Sequence, residues 1–382
     1  MGCRHRDRAG YRMLHHGNDR SRFHRRDPRP LSAHGSAPAL ALWHYRRGSK
    51  SRVKFDTAWR MKGHSMLFAC ENIDRLQCME LQGRALPRGL KGPLYELARA
   101  AHDEPLVLAA AKLLNEGPRH IGIVTGAAVP GHMPVGENDG PLGAVILANA
   151  LTRIGQRVSI YTDNAAMPPL QALIERQKID VPIVELQRND KDQLQAIAEE
   201  LDVAVAIERL GGNPNGIVYG ATGVSRSDFR CNVDHLFNTA MALGKPTLSI
   251  ADGGNEIGFG KIYDALCERI PEYKLADVTP CGGGVYSVVP TDVLVVATSS
   301  NIGAYGVVAA LALLREDLSI CHTPEEEMAL EYIGVGLGLT DGGSGRQIAA
   351  VDGVPVEDNV AIVQLMRSTV QRALEKTSDR GF

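Results

Sequence analysis

The chain has 382 residues, 44% of them apolar, enough for a sizeable core in one large domain or two average ones. Its formal net charge of −2 conceals a split: residues 1–65 hold 16 Lys/Arg against 4 Asp/Glu, leaving 26 basic and 40 acidic residues beyond them. An acidic folded part argues against nucleic acid as a partner, and seven cysteines without a C-x-x-C pair argue against a zinc ribbon or disulfide framework.

The cysteine pattern fits a reducing compartment, and the cytoplasm is the expected location. No run of about 18 apolar residues escapes interruption by charge or glycine, so no membrane partner is expected. Residues 1–65 read RHRDR, HH, RFHRRDPRPL and HYRRGSKSR, with no amphipathic period. Such composition cannot offset ordering entropy, and disorder is expected there. A basic arm or a mitochondrial transit peptide, which would place the chain in the matrix, both compete for this segment. Sparse serine and frequent Pro and His weigh against the transit peptide. A start assigned upstream of Met66 or Met79 is the simpler account, and residues 66–382 are taken as the folded domain.

Two short helical patterns, Pro93–His102 and Pro105–Asn115, precede a first strand over His120–Thr125 (HIGIVT). A helix over Pro141–Ile154 follows, with Pro where the missing N–H costs nothing. Strand and helix then alternate: strands at 158–162, 181–186, 203–208, 246–251 and 292–298, with helices at 168–178, 190–201 and 233–243, one ending at about Arg269 after the Asp252 loop, and one at 302–315. Helices at 324–334 and 358–375 close the chain. Short apolar runs alternating with amphipathic helices imply a parallel sheet covered on both faces. The expected fold class is therefore α/β, a doubly wound, mostly parallel, Rossmann-like sheet, with ligands beyond the carboxyl ends of its strands.

Unusual residues stand at those strand ends. After the first strand, Glu137 and Asp139 precede a helix N-terminus, where free N–H groups favour an anion, although a plain helix cap would account for one acidic residue. The fourth strand ends in Glu208–Arg209, either a structural ion pair or a carboxylate-orienting pair. Tyr219, Ser225, Arg226 and Asp228 follow in a polar loop. The fifth ends in Asp252–Gly253–Gly254–Asn255–Glu256–Ile257–Gly258–Phe259–Gly260–Lys261, dense in glycine, carboxylate and amide. This loop is neither a dinucleotide fingerprint nor a phosphate loop, and no Gly-x-Ser-x-Gly elbow exists. Asn301, in SSNIGAYG, and Asp341, in TDGGSGR, are further polar candidates. His132, His235 and His322 lack ligand spacing.

Together these segments resemble the D-glutamate cyclase family, in particular the cyclase-like domain that ends its longer animal members. The resemblance runs over residues 66–382 through Thr125–Gly126, Glu137–Pro141, Glu208–Arg209, Asp252–Gly260, Ser300–Gly306 and the DG turns at Asp341 and Asp352. The loop after Arg209 keeps Tyr219 but departs from the family's Tyr-Asn-Met-Arg pattern, and Ile302 replaces an expected aromatic residue. The resemblance implies a lyase that cyclises and dehydrates D-glutamate to 5-oxo-D-proline. Under it, Asp252 or Glu256 is the base, while Asn255 and the N–H groups around Gly253 and Gly254 stabilise an oxyanion. Arg209 and Lys261 hold carboxylates, and Glu137 and Asp139 hold the ammonium or a divalent metal, Mg²⁺ or Mn²⁺. No motif demands any other cofactor. Rival readings are a related lyase or a binding protein for another small amino or dicarboxylic acid. An NAD-linked oxidoreductase, the default for such a fold, lacks its fingerprint.

Overall fold

The computed structural model describes residues 57–82 and 89–375, which belong to a single unit, Phe55–Phe382. The disorder expected over residues 1–65 therefore falls, up to residue 56, outside the described residues. Six parallel strands form the sheet: β1 (His120–Val124), β2 (Arg157–Thr162), β3 (Ile183–Glu185), β4 (Val203–Ile207), β5 (Thr247–Ala251) and β6 (Val293–Val296). Their order is β3-β2-β1-β4-β5-β6, with Ile121 beside Val158 on one flank and Val203 on the other. The chain starts in the middle, winds outward one way, then returns to wind the other way. The reversal lies between β1 and β4, where the two diverging crossovers open a crevice at the carboxyl edge.

Alternation along the strands assigns each face its core. Val203, Val205 and Ile207 of β4 enter the larger apolar cluster, whereas Ala204 and Ala206 enter the smaller one. On the larger side pack α3 (Leu106–Asn115), α4 (Pro141–Arg153), α5 (Met167–Gln177) and α9 (Ser300–Arg315). On the smaller side lie α6 (Lys191–Glu200) and α7 (Asp234–Ala242). Helix α9 is buried along nearly its whole length, which explains its run of small and apolar residues without a polar face. Helices α2 (Lys91–Ala100) and α8 (Tyr263–Arg269) complete that central set.

Helix α1 (Thr57–Gln77) is not foreseen by apolar periodicity. Its buried stripe of Ala69, Cys70 and Ile73 continues into buried Asp74 and Gln77, which interrupt the pattern. Both polar residues are spent on structure. Asp74 accepts the Leu106 and Val107 N–H groups at 2.8 and 3.1 Å, satisfying the open start of α3. Burial pushes its carboxyl up to about 6. Gln77 donates to the Val296 carbonyl at 3.2 Å and ties α1 to the end of β6.

Helices α10 (Pro324–Gly336) and α11 (Val356–Leu374) close the larger face, joined by a hairpin of β7 (Ala350–Val351) and β8 (Val354–Pro355). Glu327 and Glu331, one turn apart on α10, are fully buried. His322 meets Glu327 at 3.1 Å, and Asn359 donates to Glu331 at 2.8 Å. The second oxygen of each carboxylate and the Tyr305 hydroxyl have no partner among the described residues. Burial, then the neighbouring Glu327 charge, push the Glu331 carboxyl up to about 9. The unfolded chain releases that proton near pH 4.5, whereas the folded protein keeps it to about pH 9. Folding is therefore progressively disfavoured as pH rises through that window. Glu331→Gln, facing Glu327, His322, Tyr305 and Asn359, is expected to raise the Tm over the native chain at pH 8 and to leave it nearly unchanged at pH 4.5. Equal shifts at both pH values in thermal unfolding would show that Glu331 carries no such proton.

Candidate active site

Three chain segments reach the crevice at the strand reversal, each as it leaves a buried strand. Asp139 lies on the β1–α4 loop, Glu208 follows β4 directly, and Asp252 follows β5 directly. One carboxylate oxygen from each lies within 4.8 Å of the other two. Glu256 joins from the same loop as Asp252. Glu137 and Asp352 close the group from the β1–α4 loop and the β7–β8 turn: an atom placed at the Cβ position of Gly342 would lie 2.7 Å from the Asp352 carboxylate and closer still to that of Glu137. Close approach is built into the backbone. Gly140 has φ +94°, and a Cβ there would meet Glu208 Cβ and Thr125 Oγ1 at 2.8 Å.

Several of these carboxylates are held from behind by main-chain N–H groups. Asp139 accepts the N–H of Ser300 at 2.8 Å and of Asn301 at 2.7 Å, at the start of α9. Asn301 returns the favour with its amide oxygen, which accepts the Gly140 and Gly143 N–H groups at 3.0 and 2.7 Å, at the start of α4. The Ser300 hydroxyl donates to Glu208 at 2.6 Å. Glu256 Oε1 accepts from Asp252 and Gly253 at 3.1 and 2.8 Å, while its Oε2 is buried without a partner among the described residues.

A single lysine counters this charge at its centre. Lys91, 7% exposed, donates to the Asp252 carboxylate at 2.5 Å and to the Asp252 carbonyl at 2.8 Å. Burial opposes the Lys91 charge, but Asp252, Asp352 and Glu256 outweigh it and hold the ammonium above its ordinary range. The acids respond the other way. Burial first, and neighbouring negative charge with it, raises the carboxyls of Glu137, Asp139, Glu208, Glu256 and Asp352. These five carboxyls thus lean toward their protonated forms beside a lysine that keeps its charge.

The structure redistributes several roles expected from sequence. Arg209 is 1% exposed and spends its guanidinium on Asp163 at 2.5 and 3.2 Å and on the carbonyls of Thr125, Gly126 and Cys231. It is a structural strut between the ends of β4 and β2, not a free carboxylate binder. Lys261 donates to the Asp292 carbonyl at 2.9 Å, just before β6 begins, which is the amino edge of the sheet. Asn255 donates to the Tyr219 carbonyl at 2.9 Å and braces the neighbouring loop. The Gly253 N–H serves Glu256, so the glycine loop is a cradle for a carboxylate rather than an open oxyanion hole. Gly254, at φ +100°, abuts the Tyr286 ring, which a Cβ would meet at 2.9 Å. Asp341 organises its own turn, accepting from Gly343, Ser344 and Gly353. Glu137 stands outside the tightest carboxylate trio, which is Asp139, Glu208 and Asp252. Periodicity cannot reveal Lys91, the first residue of a short helix far along the chain from its partners; its position before Gly-Pro is the one local signal.

Comparison with known proteins gives this geometry a family. The profile of a family described as D-glutamate cyclase-like, C-terminal, matches residues 94–367. The chain belongs to that family. Every carboxylate of the cluster lies inside the matched range, and Lys91 stands three residues before it. Human mitochondrial D-glutamate cyclase is 31% identical over 223 residues, 54% of this chain. That match takes in 35% of the relative's length, so the chain spans only part of it. Among solved structures, a tryptophan variant of the actinorhodin polyketide ketoreductase with NADPH is 13% identical, with 52% of this chain and 65% of that chain covered and a TM-score of 0.23.

If Lys91 is the counter-charge that lets this cyclase-like site stay folded, its removal is costly. Lys91→Met keeps most of the apolar stem and should lower unfolding free energy by about 3–5 kcal/mol, the range for orphaning one partner of a buried pair. Adding Asp252→Asn to that variant should restore part of the loss. Urea denaturation checks both, and an unchanged midpoint in Lys91→Met would refute the pairing.

Proposed function

We propose that this chain cyclises and dehydrates D-glutamate to 5-oxo-D-proline. The observation that carries the reading is the buried carboxylate cluster organised on Lys91, inside a family described as D-glutamate cyclase-like. The human relative's name gives the same activity and a mitochondrial location for that protein. For this chain, free cysteines at 70, 78, 231, 267, 281 and 321 support a reducing compartment, the cytoplasm or the mitochondrial matrix. No described helix is long and apolar enough to cross a membrane.

The reaction joins the α-nitrogen to the γ-carbon and expels one γ-oxygen. The ammonium gives up two protons, the new amide keeps one N–H, and those two protons leave with the oxygen as water. A group that accepts protons must therefore adjoin a group that donates them. Asp252, paired with Lys91, takes the two ammonium protons in turn and passes the first to the γ-oxygen. Glu256, with burial favouring its protonated form, delivers the second proton to the departing oxygen and is reprotonated by the second proton held on Asp252. Glu208 and Asp139 line the same space, and the Glu137 carboxylate attracts the ammonium. A divalent cation, Mg²⁺ or Mn²⁺, is proposed at Asp139, Glu208 and Asp252 instead of the Glu137–Asp139 pair. Their mutual approach within 4.8 Å and the unpartnered, buried Glu256 Oε2 support it. It would polarise the γ-carboxylate.

The second reading, a related lyase or binding protein for another small acidic amino acid, is favoured only by the departure of the loop after Arg209 from the family pattern. The deciding assay is chiral chromatography of 5-oxoproline formed from D- and L-glutamate, with EDTA and with added Mn²⁺. D-Glutamate alone should be consumed, EDTA should slow it, and Mn²⁺ should restore it. Asp252→Asn and Glu256→Gln should each lower kcat by about 100-fold or more. Full cyclisation by both variants would discard the acid–base assignment.

A further inference from the structure

A cyclase for a dicarboxylic amino acid must bind a second carboxylate that takes no part in the chemistry. Neither cation expected for that task is free, since Arg209 is committed to Asp163 and Lys261 lies at the far edge of the sheet. Another arginine has the opposite character. Arg230 is 5% exposed, and its one side-chain hydrogen bond among the described residues runs from Nε to the Ala128 carbonyl at 3.2 Å. No carboxylate of the described residues lies within 4.0 Å of its guanidinium, although Glu137 on the same loop as Ala128 is the nearest acidic influence. Its terminal nitrogens, the fork that matches a carboxylate edge-on, are therefore unspent. Arg226, four residues earlier in the same turn, is half-buried and also feels Glu137 first among charges. Its guanidinium lies over Gly220, where a Cβ would come within 2.7 Å of Nη2.

Burying a guanidinium without a counter-ion is costly, and Arg209 shows how this fold pairs one when structure alone is served. We propose that Arg230, assisted by Arg226 at the mouth, binds the non-reacting carboxylate of an acidic amino acid whose ammonium faces Glu137 and the cluster behind it. This rests on the acidic amino-acid reading above and supplies its specificity. Glu137 feels both Arg230 and the acids of the cluster, so a site built from them selects a ligand carrying both charges on one short carbon chain. A neutral amino acid or a simple amine would satisfy one half and leave the other uncompensated.

The test uses the full chain, with glutarate as a dicarboxylate that cannot cyclise and D-glutamate as the reacting ligand. Arg230→Met removes the unpaired charge while keeping side-chain length. Without ligand its Tm should rise, because an uncompensated buried cation is gone, whereas a structural arginine would lower it. Glutarate affinity by titration calorimetry should fall about 10- to 100-fold, the range for a charge-assisted bond. The KM for D-glutamate should rise by a similar factor with kcat within about threefold. Arg230→Lys should keep the charge and recover part of the affinity, and it stands in if the methionine variant does not fold. Arg230-dependent glutarate binding without any turnover would sink the cyclase reading and leave this one standing. Native-like KM and glutarate affinity in both variants would overturn the proposal.

Discussion

The carboxylate cluster places six acids in one buried space against a single central lysine, and that imbalance governs the rest of the architecture. Like charges at such distances in a poorly solvated crevice cannot all ionise, so some must hold protons, find N–H donors or await a cation. The fold uses all the partners it can supply. Helix α9 turns its N-terminus toward Asp139, the glycine loop folds two N–H groups onto Glu256, and Ser300 donates to Glu208. Lys91 comes from outside the sheet altogether, at the start of α2, and places its ammonium against the Asp252 carboxylate.

This division of labour separates residues that hold the site from residues that face it. Arg209, Asn255, Asn301 and Asp341 are polar and close to strand ends, yet their hydrogen bonds point into the protein. Glu208, Asp252, Glu256 and Glu137 face the shared space. The distinction is one of spent and unspent capacity: Arg209 has its guanidinium covered by a carboxylate and three carbonyls, whereas Arg230 uses one of its five N–H groups within the described chain.

The main sheet was legible from sequence because each of its strands is a short apolar run bounded by turn residues, and all six lie where that pattern puts them. The doubly wound topology follows from the alternation with helices. The carboxyl-edge site was legible for a related reason, since Glu208 and Asp252 stand immediately after buried strands where acids have no packing role. What could not be read was pairing across long separations. Lys91 and Asp252 are 161 positions apart, and Arg209 meets Asp163 across 46. Helix α1 escaped because its buried stripe includes Asp74 and Gln77, polar residues whose main partners lie far along the chain. Lys261 misled because adjacency to the glycine loop says nothing of direction, and the turn at Gly260–Ile262 carries it to the other edge.

The exchange between Asp139 and Asn301 has a consequence of its own. Asp139, just before α4, accepts from the start of α9, and Asn301, on α9, accepts from the start of α4, so the two helix starts are bolted together across the strand reversal. Parting the two halves of the crevice would have to break these four hydrogen bonds, whereas the Tyr219–Arg230 and Asp341–Asp352 stretches lie outside the bolt. The same bolt makes the two positions a single unit for engineering: replacing Asp139 strands the Ser300 and Asn301 N–H groups, and replacing Asn301 strands that of Gly143 and leaves Gly140 only its Asp139 partner, whereas a matched exchange of both preserves the frame while recasting the loops around it.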